Sequence, residues 1–200
     1  DVPFDKIYLA AVDNMGDESG MVRAFEYQGR EMHVTLYPGA ILPLGEFGEI
    51  TGPGFGLTAS FTLNNYFYKG LVLGAETGFY SLLGKDTLAS SYKKTETVFM
   101  APFLLTAGYC FDLNYYFSVT PYAGLGIMFF YTDYVSRDRI TLNDSNKSFS
   151  EVGSALVAGV AGSYRLTESI SIMLRLNLGY LAVTESGLYT GCEIGCMYRL

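Results

Sequence analysis

Gly54-x-Gly56-x-x-Ala59 has the spacing of a loop whose backbone wraps a pyrophosphate at the start of a helix. That chemistry needs a helix after the glycines, and none is signalled. Nucleotide binding is not expected, and these glycines read as small residues on the crowded face of a strand. Cys192-x3-Cys196 invites a metal or a disulfide. In an extended segment the two Cα atoms lie roughly 13 Å apart at about 3.3 Å per residue, whereas a bridge needs less than about 7 Å. One zinc ion cannot span that gap either, and the chain has a single histidine to complete a set. Cys110, Cys192 and Cys196 are therefore expected to be free thiols, with no metal and no cofactor. His33 stands two residues before Thr35, a spacing that puts an imidazole and a hydroxyl on one strand face, as a base and its nucleophile would require. Glu76, Arg175 and Glu193 are charges isolated in apolar surroundings, which must find each other or bear a large desolvation cost. Asn143-Asp-Ser145 and Asn146-Lys-Ser148 fit the glycosylation pattern and are read as ordinary loop residues.

The elements that would hold these groups are strands. In Ser169 to Val183 the positions Ile170, Ile172, Leu174, Leu176, Leu178 and Tyr180 share one parity, and Ser171, Arg175, Asn177 and Gly179 the other. Only an amphipathic strand has that period. The preceding segment sets Val152, Leu156, Val160, Tyr164 and Leu166 against Gly153, Ala155, Gly159, Ala161 and Ser163. The division recurs in 32–44, 55–63, 71–83, 97–111, 117–131 and 188–200, which predicts eight strands. The charge-free run Leu113 to Thr132 is long enough for a spanning helix. Asn114, Pro121, Gly124 and Gly126, with apolar residues at every second place, argue against one.

Composition narrows the class. Charged residues make up 16% of the 200, against roughly 25% in soluble domains, and mean hydropathy is +0.22. Tyr and Phe number 17 and 14. Disorder is excluded, and one domain is the natural count. A net charge of −7 and a pI near 4.7 leave no basic stripe to displace counterions, so nucleic acid is not a partner. Asp1 follows no basic or apolar leader, so the chain reads as a mature product with its export signal removed.

A soluble sandwich would carry Lys and Glu on its outer face. Here one face is Gly, Ser, Thr and Asn, and the other is Leu, Ile, Val and Phe. That is the pattern of a barrel with lipid outside and small polar groups inside. Tyr66, Phe67, Tyr68, Tyr115, Tyr116, Phe117, Tyr164 and Tyr198 fall at one set of strand ends. Phe79, Tyr80, Phe129, Phe130, Tyr131 and Tyr180 fall at the other, as two aromatic girdles would. Short links at Asn64-Asn65, Asp112 to Asn114 and Thr167 to Ser169 alternate with longer ones at 45–53, 84–96 and 133–150, and a modest one at Thr184 to Gly187.

On these residues the run Met32 to Leu200 resembles the small eight-stranded outer-membrane β-barrel families, OmpA-, OmpX- and OmpW-like. Its end is similar to their C-terminal assembly signature: Leu200, Tyr198, Cys196, Ile194 and Cys192 hold the alternate apolar places, with Leu200 where Phe or Trp is usual. The resemblance implies an all-β, transmembrane, antiparallel up-and-down barrel in the bacterial outer membrane, built by the barrel-assembly machinery, with surface loops and periplasmic termini. Residues 1–31, with apolar stretches Phe4 to Val12 and Met21 to Gln28, are either an arm or a hairpin that would raise the count to ten strands.

Parity turns Glu76, Arg175 and Glu193 into the lumen as an ionic network, and His33, Tyr37, Tyr122, Met128, Phe130 and Leu181 line it. Barrels that deacylate lipid A use a His-x-Ser pair facing the outer leaflet, whereas His33-Val34-Thr35 lies at the opposite end; no enzymatic activity is expected. The primary functional expectation is a structural or adhesin-like surface protein that meets a host or environmental ligand through 84–96 and 133–150. The alternative is a narrow channel for small hydrophobic compounds, OmpW-like, with Tyr122, Met128, Phe130, Leu181 and Val183 forming an upper pocket.

Overall fold

The computed structural model describes residues 6–12, 18–26, 30–87, 92–137, 144–182 and 187–200. Eight long strands form one closed sheet: β1 (Glu31–Leu44), β2 (Thr51–Asn64), β3 (Leu71–Gly84), β4 (Tyr92–Tyr109), β5 (Phe117–Arg137), β6 (Asp144–Arg165), β7 (Ile170–Ala182) and β8 (Gly187–Arg199). Each pairs antiparallel with the next in sequence, and β8 pairs with β1. Closure leaves no strand edge, which is what a sheet in hydrocarbon requires. Two-residue pieces, Asp86–Thr87 and Phe111–Asp112, add to the ends of β4 and β5.

Lys6–Val12 and Glu18–Glu26 pair with each other in a separate two-stranded sheet. The ten-strand alternative is therefore corrected: once β1 and β8 are joined, the barrel has no edge for a hairpin to enter.

The long links are also corrected. β5 and β6 stay in register from Phe117 with Tyr164 up to Arg137 with Asp144, and β4 follows β5 up to Tyr92 with Arg137. Much of 84–96 and 133–150 is thus paired strand. Ladder hydrogen bonds persist without an apolar face, so the alternation that signals a strand fades before the strand ends. The link at 45–53 is a helix, α1 (Gly45–Ile50), followed directly by β2. Val183, Asn143 and the links 88–91, 138–143 and 183–186 lie outside the described residues.

Local chemistry makes the opposite links short. Asn65 takes a positive φ of 61° and its Oδ1 accepts the Gly70 amide at 2.7 Å. Asn114 Oδ1 accepts the amides of Tyr116 and Phe117 at 2.8 Å each, and Thr167 Oγ1 accepts that of Ile170 at 3.0 Å. Asn and Thr side chains stand in for backbone acceptors at such turns. We call this the turn end and the end bearing α1 the loop end.

Strand β7 alternates without a break between exposed and buried from Ile170 to Ala182. The outward rings meet across strands: toward the loop end Phe79 stacks on Phe99 at 5.2 Å and Phe99 on Tyr131 at 6.3 Å, and Phe103 meets Phe129 edge to face at 5.9 Å. Toward the turn end Tyr109 meets Phe111 at 4.8 Å and Tyr116 meets Tyr164 at 6.3 Å. Two girdle assignments fail, because Tyr80 and Phe130 are buried in the lumen. Each sits beside an outward aromatic, and the pleat turns the second ring the other way.

Candidate functional site

Halfway along the lumen the charged side chains converge. Arg175 on β7 bonds Glu193, its cross-strand partner on β8, through Nε and Nη2, and reaches Glu76 on β3 with Nη1 and with Nη2, the last at 3.0 Å. Glu193 is 0% exposed and Arg175 4%. The guanidinium lies over the Tyr37 ring at 4.3 Å and within 5.7 Å of the Tyr122 ring. Tyr80 donates its hydroxyl proton to Glu193, and Thr58 Oγ1 lies 2.7 Å from the Tyr80 oxygen and 3.2 Å from Glu193 Oε1. Glycines make room for these groups. A Cβ on Gly39, the cross-strand partner of Glu193, would lie 2.9 Å from the Glu193 Cβ. One on Gly56 would meet the Tyr80 ring. The small inward residues of the sequence are thus the space that the large polar ones occupy.

From this layer to the loop end the lumen is a packed apolar core of Ile41, Leu82, Val98, Met100, Leu104, Met128, Phe130, Leu181 and Tyr189. Phe47 on α1 closes the mouth. Its ring is 0% exposed and lies 6.0 Å from Phe130. Thr51 holds α1 in place by donating both its backbone N–H and its Oγ1 to Phe47 O, the latter at 2.7 Å, and Lys85 Nζ donates to Gly48 O at 2.6 Å. The expected upper pocket is corrected accordingly: Met128, Phe130 and Leu181 belong to this packed core, and Tyr122 lines a cavity in the other half.

The open space lies in the other half. A cavity of about 120 Å3 runs from the turn end to the Arg175 layer, lined by His33, Tyr37, Tyr122, Glu76 and several Ser and Thr hydroxyls. At its mouth Glu31 pairs with Arg199 at 3.2 Å. His33 is buried and uses both nitrogens: Nε2 donates to Glu31 Oε2 at 3.1 Å, and Nδ1 accepts from Asn64 Nδ2 at 3.2 Å. No ring nitrogen remains to take a proton from Thr35. Among the described residues no group of three or more His, Cys, Asp or Glu is placed to hold a metal ion.

No protein-family model matches the chain, and no curated protein does. Solved structures do. A major outer membrane protein from Thermus thermophilus aligns over 86% of this chain and 100% of that one, at 16% identity and a TM-score of 0.61. The chain has the fold of the small outer-membrane β-barrels. The attachment invasion locus protein Ail of Yersinia pestis aligns over 86% of this chain and 97% of that one, at 13% identity and a TM-score of 0.49. The N-terminal barrel domain of Pseudomonas aeruginosa OprF covers 85% and 100%, at 14% and 0.42.

The outer surface of the barrel is what this fold demands. Leu57, Leu105, Leu125, Leu156, Leu176 and Ile194, from six different strands, all point outward and are exposed, an apolar band that water would not tolerate and lipid does. Ile194, Cys196, Tyr198 and Leu200 share this face. Cys110, Cys192 and Cys196 are free, the last two exposed on it.

The inward charges were legible in the sequence. Tyr80, Thr58 and Phe47 were not: inward parity was the available signal for the first two, and Phe47 stands in a six-residue helix too short to show a period.

Proposed function

We propose that this protein is a non-conducting, non-enzymatic scaffold of the outer membrane that presents its β3–β4 and β5–β6 hairpins at the cell surface, as a structural or adhesin-like interaction protein. One observation carries the reading: the lumen is obstructed twice, by the Arg175 layer and by the apolar core under Phe47. A barrel so filled has its rim and hairpins left for contact with the environment. β5 and β6 stay paired as far as Arg137 with Asp144, which supports a host or environmental ligand site at that end of the hairpin. With eight strands the termini return to one side, the periplasm in this reading, and the outward C-terminal residues serve the barrel-assembly machinery. The packing of Met128, Phe130 and Leu181 counts against a channel for hydrophobic compounds.

Planar-bilayer recording of the purified barrel tests the first part, with no conductance steps expected; steps in the intact protein would overturn it. Adherence of expressing cells to immobilised matrix proteins tests the second. Replacing 138–143 by a short Gly-Ser link should reduce adherence without lowering the amount of barrel in the membrane. Unchanged adherence would leave the structural role alone.

A further inference from the structure

The N-terminal strands Lys6–Val12 and Glu18–Glu26 pair with each other and, among the described residues, with no strand of the barrel. Their register sorts the residues into two faces, because directly opposed positions of an antiparallel pair share a side and successive positions alternate. Ile7 with Phe25, Leu9 with Val22 and Ala11 with Ser19 make one face, and none of the six is charged. Lys6 with Glu26, Tyr8 with Arg23 and Val12 with Glu18 make the other, where every pair holds a charge. The register shift between Ile7 and Tyr8 matters to this division: without it Arg23 would stand opposite Leu9. Two strands alone in water are marginally stable at best, so the uncharged face has to be covered.

Its place in the chain decides what covers it. Arg30 already lies at the turn-end rim, its guanidinium 5.7 Å from the centre of the Tyr66 ring. From Glu26 to Arg30 the chain extends roughly 14 Å at most, which holds the hairpin at this end. The cavity that opens there is polar, lined by Glu31, Asn64, Asp112, Arg165 and Arg199. An uncharged sheet face finds no match in it. The outside of the same rim is apolar: Phe67, Tyr68, Tyr198 and Leu200 are exposed, and Met32 and Val34 carry this surface into the lipid-facing band. Two open strand edges set the depth, since unpaired N–H and C=O groups cannot enter hydrocarbon. At the headgroup level water still reaches them.

We infer that the N-terminal hairpin is an interfacial anchor whose partner is the bilayer surface: it lies on the leaflet at the turn end, with the Ile7, Leu9, Val22 and Phe25 face against lipid and the Lys6, Arg23 and Glu26 face against water. The anchor is independent of the surface role proposed above, since it sits at the opposite end of the barrel.

The test uses the full chain folded into phosphatidylcholine nanodiscs, which leave both leaflets open to solutes. In a protein carrying Cys110→Ser, Cys192→Ser and Cys196→Ser, an environment-sensitive fluorophore is attached through Leu9→Cys or, separately, through Arg23→Cys. Interfacial elements bury their apolar face about 5–10 Å into the headgroup boundary. The Leu9→Cys label should therefore emit to the blue, be quenched by lipid bearing a nitroxide at the top of its acyl chain, and lose quenching by aqueous iodide. The Arg23→Cys label should keep iodide quenching. Labels that respond alike to iodide or to the lipid nitroxide give the hairpin no sided contact with the bilayer and overturn the proposal. A Leu9→Cys label shielded from both quenchers overturns it as well, because the face is then covered by protein, either the barrel mouth or a second copy. Should the labels disturb the hairpin, nuclear Overhauser contacts between acyl-chain protons and the methyl groups of Ile7, Leu9 and Val22 in the unaltered protein decide; their absence refutes the anchor.

Discussion

Arg175 and Glu193 are direct cross-strand partners on β7 and β8, and the same guanidinium is gripped from the far wall by Glu76 on β3. Arg175→Met leaves two buried carboxylates facing each other. Breaking a buried pair of this kind costs about 3–5 kcal/mol. The detergent-solubilised barrel should lose about that much stability, read as a lower thermal transition, and Glu193→Gln combined with Arg175→Met should cost less than the sum of the two. An Arg175→Met protein as stable as its parent would show that the layer contributes nothing.

Phe47→Ala removes the ring that fills the loop-end mouth beside Phe130. The loss of a fully buried Phe costs about 3 kcal/mol. Bilayer recordings should nevertheless stay silent, because the Arg175 layer still blocks the lumen. Conductance in the single variant would assign the seal to α1 alone.

The three thiols should respond differently to maleimides in liposomes. Cys192 and Cys196 face acyl chains and should react with a membrane-soluble reagent and resist a charged one. Cys110, in the link after β4, has its thiol pushed up by burial, with Asp112 adding to the effect. A raised pKa leaves less thiolate at neutral pH, so its labelling should be slow at pH 7 and accelerate as the pH rises. After denaturation without reductant all three should label; recovery of one would reveal a bridge.

Protease added to intact cells should cut within 84–96 or 133–150. Cleavage near Asn114 or Thr167 would invert the orientation proposed for the barrel.

The barrel could be read from the sequence because a lipid-facing sheet enforces a strict alternation, as in Ile170 to Ala182. The same rule turns Glu76, Arg175 and Glu193 inward, since none could face hydrocarbon. Parity does not say how far along the axis a residue lies. That depends on strand stagger, which places Glu76 opposite Arg175 across the lumen and sets Tyr80 and Thr58 against Glu193. The same stagger puts the open space at the turn end, where His33 and Asn64 are, instead of around Met128 and Phe130. The hairpins beyond the belt look like loops in the sequence because nothing compels them to be apolar on one side.

The charge cluster draws on both halves of the chain. Thr58, Glu76 and Tyr80 come from β2 and β3, and Arg175 and Glu193 from the last two strands. The β7–β8 hairpin carries Arg175 already paired with Glu193, and Glu76 gains its guanidinium only when strands from both halves stand in one ring. The contact from Glu76 to Arg175 is in this way a clasp across the lumen: it exists in the closed barrel and in no single hairpin of it.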